Sequence, residues 1–257
     1  MELFYREYGQ GQPIVILHGL LGISDNWVGF SRKLAVEGYR VLIPDQRNHG
    51  HSPHHPVMNY YALTDDLAEF IEHHHVEKPI ILGHSMGGKV AMRYTLENPR
   101  KVARLIIVDT SLRTYFRFNY HLKLIDAMLS VDFTTASGRQ DVASLLSERV
   151  GDTRLVQFLM KNLYRKEKGR LGWRPNLQAI SYHVDSMYDG VFYSTHFENP
   201  ALFIRGGQSD YILDEDIPAI MRNFPDAVIK TIEKGTHWVH SDEPEEFYRI
   251  LKEFLKS

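Results

Sequence analysis

Several short stretches of the chain are apolar in runs too short for helices. Residues 13–17 are apolar throughout, residues 79–82 form a second run, and 102–108 form a third strand-like stretch, apolar but for Arg104. A strand with one wet face alternates polar and apolar positions. A run with no alternation is covered on both faces, as in a parallel sheet. Residues 39–43, 200–205 and 227–232 read as further strands, and residues 3–8 as an edge strand. Between them the period changes to that of helices. Ser24-Asp25-Asn26 can cap a helix running to about Val36. Another helix starts near Tyr60 and ends in His73-His74-His75. Residues 88–96 form a helix stopped by Asn98-Pro99. A helix over about 214–224 and a closing helix opened by Glu243-Pro244-Glu245-Glu246 complete the pattern. Alternation of this kind predicts an α/β fold, a mostly parallel sheet flanked by helices.

The alternation breaks between about residues 112 and 197. The patterns there are helical, over 120–129, 141–150, 153–164 and 176–188, punctuated by Gly138, Gly151, Gly169 and Gly172. Leu155, Phe158, Leu159 and Leu163 recur at helical spacing. Because the alternation resumes afterwards, this span reads as a helical cap inserted into one core. The core parts are then 1–111 and 198–257. A separate helical domain is the weaker alternative. The insertion carries Tyr115, Phe116, Phe118, Tyr120, Leu124, Met128, Phe158, Tyr182 and Met187 between polar residues. These supply an apolar underside for a cap that sets substrate preference, while the sheet edge sets the chemistry.

The chemistry centres on Gly83-His84-Ser85-Met86-Gly87, between the run at 79–82 and the helix at 88–96. A serine on a tight strand-to-helix turn is held in a strained conformation with its hydroxyl presented. Gly83 and Gly87 leave the room that turn needs. The Met86 N–H at the helix start faces a developing oxyanion. A second N–H is expected from the loop after the strand at 13–17, in His18-Gly19-Leu20-Leu21-Gly22, and is assigned to Leu20. His18, Gly19, His84 and Trp238 are expected to wall the substrate pocket.

A serine hydroxyl needs a neighbouring base. The chain has 14 histidines. His237 follows the last strand on the edge that holds Ser85, and the order Ser, acid, His fits such a turn. His240 is its rival. Two aspartates end strands on the same edge. Asp109 follows the strand after the nucleophile, and Asp210 follows the next. In a G-x-x-D turn counted from Gly207, Asp210 fits; counted from Gly206, Ser209 takes the place. Asp109 is favoured as the triad acid, with Asp210 as the alternative, since the acid must point at the imidazole.

Composition narrows the setting. The hydrophobic share of 43% and charged share of 24% are those of an ordinary globular chain, and the net charge of −2 gives no reason to expect nucleic acid or an acidic membrane as partner. Cysteine is absent, which removes thiolate chemistry and disulfides. No apolar run reaches membrane-spanning length, and the start has no basic segment leading into an apolar one, so a cytoplasmic location is expected. His49, His51, His54 and His55 lack the spacing and carboxylates of a ligand set, and adjacent His73, His74 and His75 point apart on a helix. Neither metal nor cofactor is expected.

Together, His18-Gly19-Leu20-Leu21-Gly22, Asp25-Asn26-Trp27, residues 45–52, Gly83-His84-Ser85-Met86-Gly87-Gly88 and Gly235-Thr236-His237-Trp238-Val239-His240 resemble the α/β-hydrolase superfamily over nearly the full length. More closely the chain is similar to the small YbfF-type esterases. The resemblance implies an α/β-hydrolase fold and cofactor-free hydrolysis of carboxylic esters or acyl thioesters, short to medium in acyl length and including acyl-CoA. It implies a small-molecule ester or thioester as partner. It also places the acid after the strand that follows the nucleophile, at Asp109. Asp210 departs from members without a carboxylate at that turn, so both aspartates stay in view. Two alternatives use the same scaffold: a hydrolase of another bond, such as C–C or amide, or a perhydrolase; and a ligand-binding receptor with little or no turnover.

Overall fold

The computed structural model describes the whole chain except Arg117, Phe118, Ser137, Glu167 and Lys168. Phe118, one of the apolar residues expected beneath the cap, thus lies outside the described residues. Among those residues, the strands β1 (Tyr5–Tyr8), β2 (Gln12–Leu17), β3 (Tyr39–Pro44), β4 (Ile80–His84), β5 (Arg104–Val108), β8 (Ala201–Gly206) and β9 (Ala227–Ile232) form one sheet in the order β1-β3-β2-β4-β5-β8-β9. Only the edge strand β1 runs antiparallel, against β3; the other pairings are parallel.

The unbroken apolar runs have the expected cause. Side chains alternate across a strand, and here both faces are covered. Val15, Leu17, Ile81, Leu105, Ile107 and Phe203 face one core, with α2 (Tyr60–His73) and α3 (Met86–Glu97) packed on it. Ile14, Ile16, Ile80, Leu82, Ile106, Val108 and Ile204 face a second core, closed by α1 (Val28–Val36) and by the last helix (Pro244–Lys256) through Phe247, Ile250 and Leu251. Asn59 starts α2 by accepting the Ala62 N–H at 2.9 Å, which satisfies one of the orphan donors of the first turn.

Two expectations about helix ends are corrected. Ser24-Asp25-Asn26 does not cap α1; it forms its own single 3-10 turn, and α1 begins at Val28. The polar groups are used locally: the Ile23 N–H donates to Asn26 Oδ1 at 2.8 Å, and the Ser24 N–H to the Asp45 carboxylate at 2.6 Å. The helix expected over 214–224 likewise opens with a 3-10 turn, Asp214–Asp216, before α8 (Ile217–Asn223).

Between β5 and β8 lie α4 (Tyr120–Leu129), α5 (Arg139–Val150), α6 (Thr153–Met160) and α7 (Leu177–Tyr182). This segment is not wholly helical. The pattern at 153–164 overran: α6 stops at Met160, and β6 (Leu163–Arg165) pairs antiparallel with β7 (Leu171–Trp173). The cause is a tertiary anchor. Asn162 is buried and donates from its side chain to the Leu21 carbonyl at 2.8 Å, while its own carbonyl accepts the Arg174 N–H at 3.0 Å. The pattern at 176–188 is split too, into α7 and a 3-10 turn, Val184–Tyr188. No helix among the described residues is long and apolar enough to cross a membrane.

Candidate active site

Ser85 stands between β4 and α3 with φ +52° and ψ −118°, outside the regions an L-residue favours. The two flanking glycines are required by space. A Cβ at Gly83 would meet the Gly87 carbonyl oxygen at 2.3 Å, and one at Gly87 would meet that of Leu17 at 2.4 Å. Backbone atoms cannot yield as a flexible side chain can. The strain at Ser85 is therefore held by the β4–α3 packing, as strained functional turns are.

The loop after β9 carries His237. Its Nε2 lies 3.0 Å from Ser85 Oγ, and its Nδ1 lies 2.8 Å from Asp109 Oδ2. Asp109 is the carboxylate His237 meets. It follows β5 with φ +47° and is fully buried. Its carboxylate also accepts the Gly206 N–H at 2.9 Å and the hydroxyl of Ser209. With Nδ1 donating to Asp109, Nε2 is left as the acceptor toward Ser85, the arrangement in which a histidine can act as base. Asp210 is exposed instead, and its main-chain oxygen accepts from Arg113 Nη2 at 2.6 Å. The turn after β8 is thus the one counted from Gly206, with Ser209 in the place that faces Asp109. His240 lies flat against Trp27, ring centroids 4.5 Å apart.

The loop after β2 closes by a Gly22 N–H to Gly19 carbonyl bond of 2.9 Å and sets Leu20 beside Ser85. Met86 is the first residue of α3, where N–H groups lack partners within the helix. Gly19, His84 and Trp238 line a small cavity that also touches Ser85. His18 is buried beneath the loop, with Nδ1 on the Gly19 carbonyl at 2.9 Å and Nε2 accepting the Gln46 N–H at 3.0 Å. His84 Nε2 donates to the His237 carbonyl at 2.9 Å, fixing the loop that carries the imidazole. Burial pushes His18 down and His84 well down from the usual histidine range, and pushes His49 and His240 down to about 3. These four rings are therefore neutral scaffold groups at neutral pH.

Two residues were not found by sequence reasoning. Tyr211 stacks on His237 with centroids 3.8 Å apart and planes at 17°, which fixes the tilt of the imidazole. Ser209 steadies the Asp109 carboxylate. The count from Gly206 pointed to Ser209, but only as the reason to doubt Asp210; nothing local pointed to Tyr211.

Of the apolar residues expected beneath the cap, Tyr115, Tyr120, Leu124, Phe158 and Met187 line cavities that touch Ser85. Met128 is wholly buried, in the core cluster that also holds Ile81 and Leu105 of the sheet, and Phe116 and Tyr182 are exposed.

Sheet order, strained serine turn and the Ser85–His237–Asp109 chain define the class. The family model described as the alpha/beta hydrolase fold matches residues 12–244, and the chain belongs to that family. Among its relatives is a zebrafish (Danio rerio) protein named sn-1-specific diacylglycerol lipase ABHD11, 39% identical over 254 residues, covering 96% of this chain and 80% of that one. Esterase YbfF of Escherichia coli is 31% identical over 243 residues, covering 95% of this chain and 92% of its own. A solved structure titled marine microorganism esterase superposes with a TM-score of 0.94 at 40% identity, covering 98% of this chain and 99% of that one.

Proposed function

We propose that the protein is a serine hydrolase of carboxylic esters or acyl thioesters, working without a cofactor. The observation that carries this reading is the continuous hydrogen-bonded line from Asp109 through His237 to Ser85 Oγ. The names of the relatives, a lipase and esterases, support the ester bond as the target.

In this reading His237 Nε2 takes the Ser85 proton as Oγ attacks the acyl carbonyl. The Leu20 and Met86 N–H groups face the oxyanion. Asp109 keeps the proton on Nδ1 and stabilises the imidazolium that forms. Collapse breaks the bond to the alcohol or thiol, which leaves with the proton from Nε2. Water then enters, gives a proton to His237, and releases the acid from the acyl-enzyme, restoring Ser85. Residues 112–197 act as the cap, and the substrate is a small molecule.

The test is covalent labelling by a fluorophosphonate. One label is expected, on Ser85, lost in Ser85→Ala together with ester turnover. A label that survives that substitution overturns the assignment.

A further inference from the structure

The space around Ser85 is unequal. A cavity of about 650 Å³ has His237, Trp238, Tyr120 and Phe158 in its wall. A cavity of about 10 Å³ shares those four residues and also touches Ser85, Gly19 and Leu20. A third, of about 20 Å³, touches Ser85, Leu20 and Met86 and is closed by Tyr60, Tyr115, Met187 and Tyr188.

These positions sort the two halves of an ester, given the roles of Ser85 and His237 proposed above. The tetrahedral carbon on Ser85 Oγ carries three other groups. The oxyanion turns to Leu20 and Met86. The leaving oxygen must sit where His237 Nε2 can protonate it, so the alcohol runs past His237 toward the cavity of about 650 Å³. The acyl group is left with the cavity of about 20 Å³. That space is small beside the cavity of about 650 Å³, so it suits a short acyl group.

A buried lysine side chain holds that cavity shut. Lys89 lies one turn along α3 from Ser85 and is only 1% exposed. Burial, with the nearby Arg113 guanidinium, pushes this amine down to about 7, and toward the three carbonyls around it the group acts only as a donor. Nζ donates to the carbonyl of Asp189 at 2.9 Å, to that of Leu112 at 3.4 Å, and to that of Arg113. Leu112 and Arg113 begin the cap segment. Asp189 follows Met187 and Tyr188, the roof of the small cavity. The two chain ends are also joined to each other, Tyr115 N–H to the Tyr188 carbonyl at 2.9 Å and Val191 N–H to the Leu112 carbonyl at 2.7 Å. A longer acyl chain must displace Met187 or Tyr188, and so disturb bonds that one buried amine gathers.

We propose that the enzyme is selective for esters with an acetyl-sized acyl group on a bulky alcohol, and that Lys89 is the positioning residue that enforces the acyl limit.

The test measures kcat and KM over two series: acetyl to hexanoyl esters of one alcohol, and acetyl esters of methanol, benzyl alcohol and naphthylmethanol. From acetyl to butyryl, kcat/KM should fall at least tenfold, while along the alcohol series it should hold or rise. Met187→Ala and Lys89→Met should each raise the butyryl-to-acetyl ratio about tenfold, mainly through KM. A general loss of folded enzyme scales both esters alike and leaves that ratio unmoved. Hexanoyl turnover equal to acetyl overturns the acyl limit. An unchanged ratio in folded Lys89→Met, with Met187→Ala responding, removes the role of Lys89. If Lys89→Met fails to fold, Met187→Ala carries the test of the cavity, and a melting profile of Lys89→Gln with its ratio tests the latch. Fluorophosphonate labelling of the same preparation separates the levels. Labelled Ser85 with a flat acyl series refutes the size limit alone, whereas absence of labelling overturns the hydrolase reading and this one with it.

Discussion

Asp109→Asn tests the site most sharply, because the change is nearly isosteric and its effect can be worked from three hydrogen bonds. The carboxylate accepts from His237 Nδ1 at 2.8 Å, from the Gly206 N–H at 2.9 Å and from the Ser209 hydroxyl. An amide offers one oxygen and one NH₂ in their place. If the oxygen faces His237, the NH₂ opposes the Gly206 N–H, donor against donor in a fully buried place. If the NH₂ faces His237, Nδ1 must become the acceptor, and the proton moves to Nε2, where it blocks uptake of the Ser85 proton. The second orientation avoids leaving two donors opposed, which costs about 1–3 kcal/mol for a buried group, so it is the populated one. The wrong tautomer lowers turnover by roughly 10⁴-fold, about 5.5 kcal/mol in the barrier. The assay is kcat on an acetyl ester for folded Asp109→Asn beside Asp210→Asn. Asp210 is exposed and outside the chain of bonds, so its variant should stay within a few-fold of the parent. Equal losses, or an Asp109→Asn enzyme within tenfold of the parent, would refute the reasoning.

Two further outcomes follow from the same geometry. Gly87→Ala places a Cβ 2.4 Å from the Leu17 carbonyl oxygen and 2.7 Å from that of His18; overpacking against backbone costs about 1–3 kcal/mol, read as a lower denaturation midpoint, and an unchanged midpoint with full activity would show the turn to be slack. Acid should destabilise the fold in a defined window: His49 and His240 are held at about 3 in the folded chain against 6.5 when unfolded, so the unfolded state binds more protons between those values and stability falls as pH drops through 6.5 toward 3. At pH 5 the two together lose about 4 kcal/mol, some 2 kcal/mol each, with His18 and His84 acting in the same direction; urea unfolding at pH 7 and pH 5 measures it, and equal stability at both would contradict the neutral buried rings.

What the chain declares in its own order is whatever contiguous residues control. The runs at 13–17 and 79–82 are apolar at every position because both sheet faces are covered, and that leaves a local mark. Gly83 and Gly87 mark the strained turn because only residues without a Cβ fit within it. Ser85 in that turn was legible for the same reason, and the break in the alternation of periods falls in the stretch between β5 and β8. What contiguous residues do not control had to wait for the fold. Whether Asp109 or Asp210 meets His237 depends on the direction of the turn after β8, and that turn is fixed by pairing with β9 and by Gly206 and Ser209 binding a carboxylate about a hundred positions earlier. Tyr211 reaches His237 by stacking, an interaction that leaves no spacing to read. The helix expected through residue 164 ends early because Asn162 is drawn to Leu21, a partner 141 positions away. Helical period is a property of neighbours in the chain, whereas aim, register and closure come from partners that only packing brings together. The sequence by itself therefore determined the scaffold and the strained serine turn, and the tertiary structure decided which acid the histidine meets and how much room is left beside the serine.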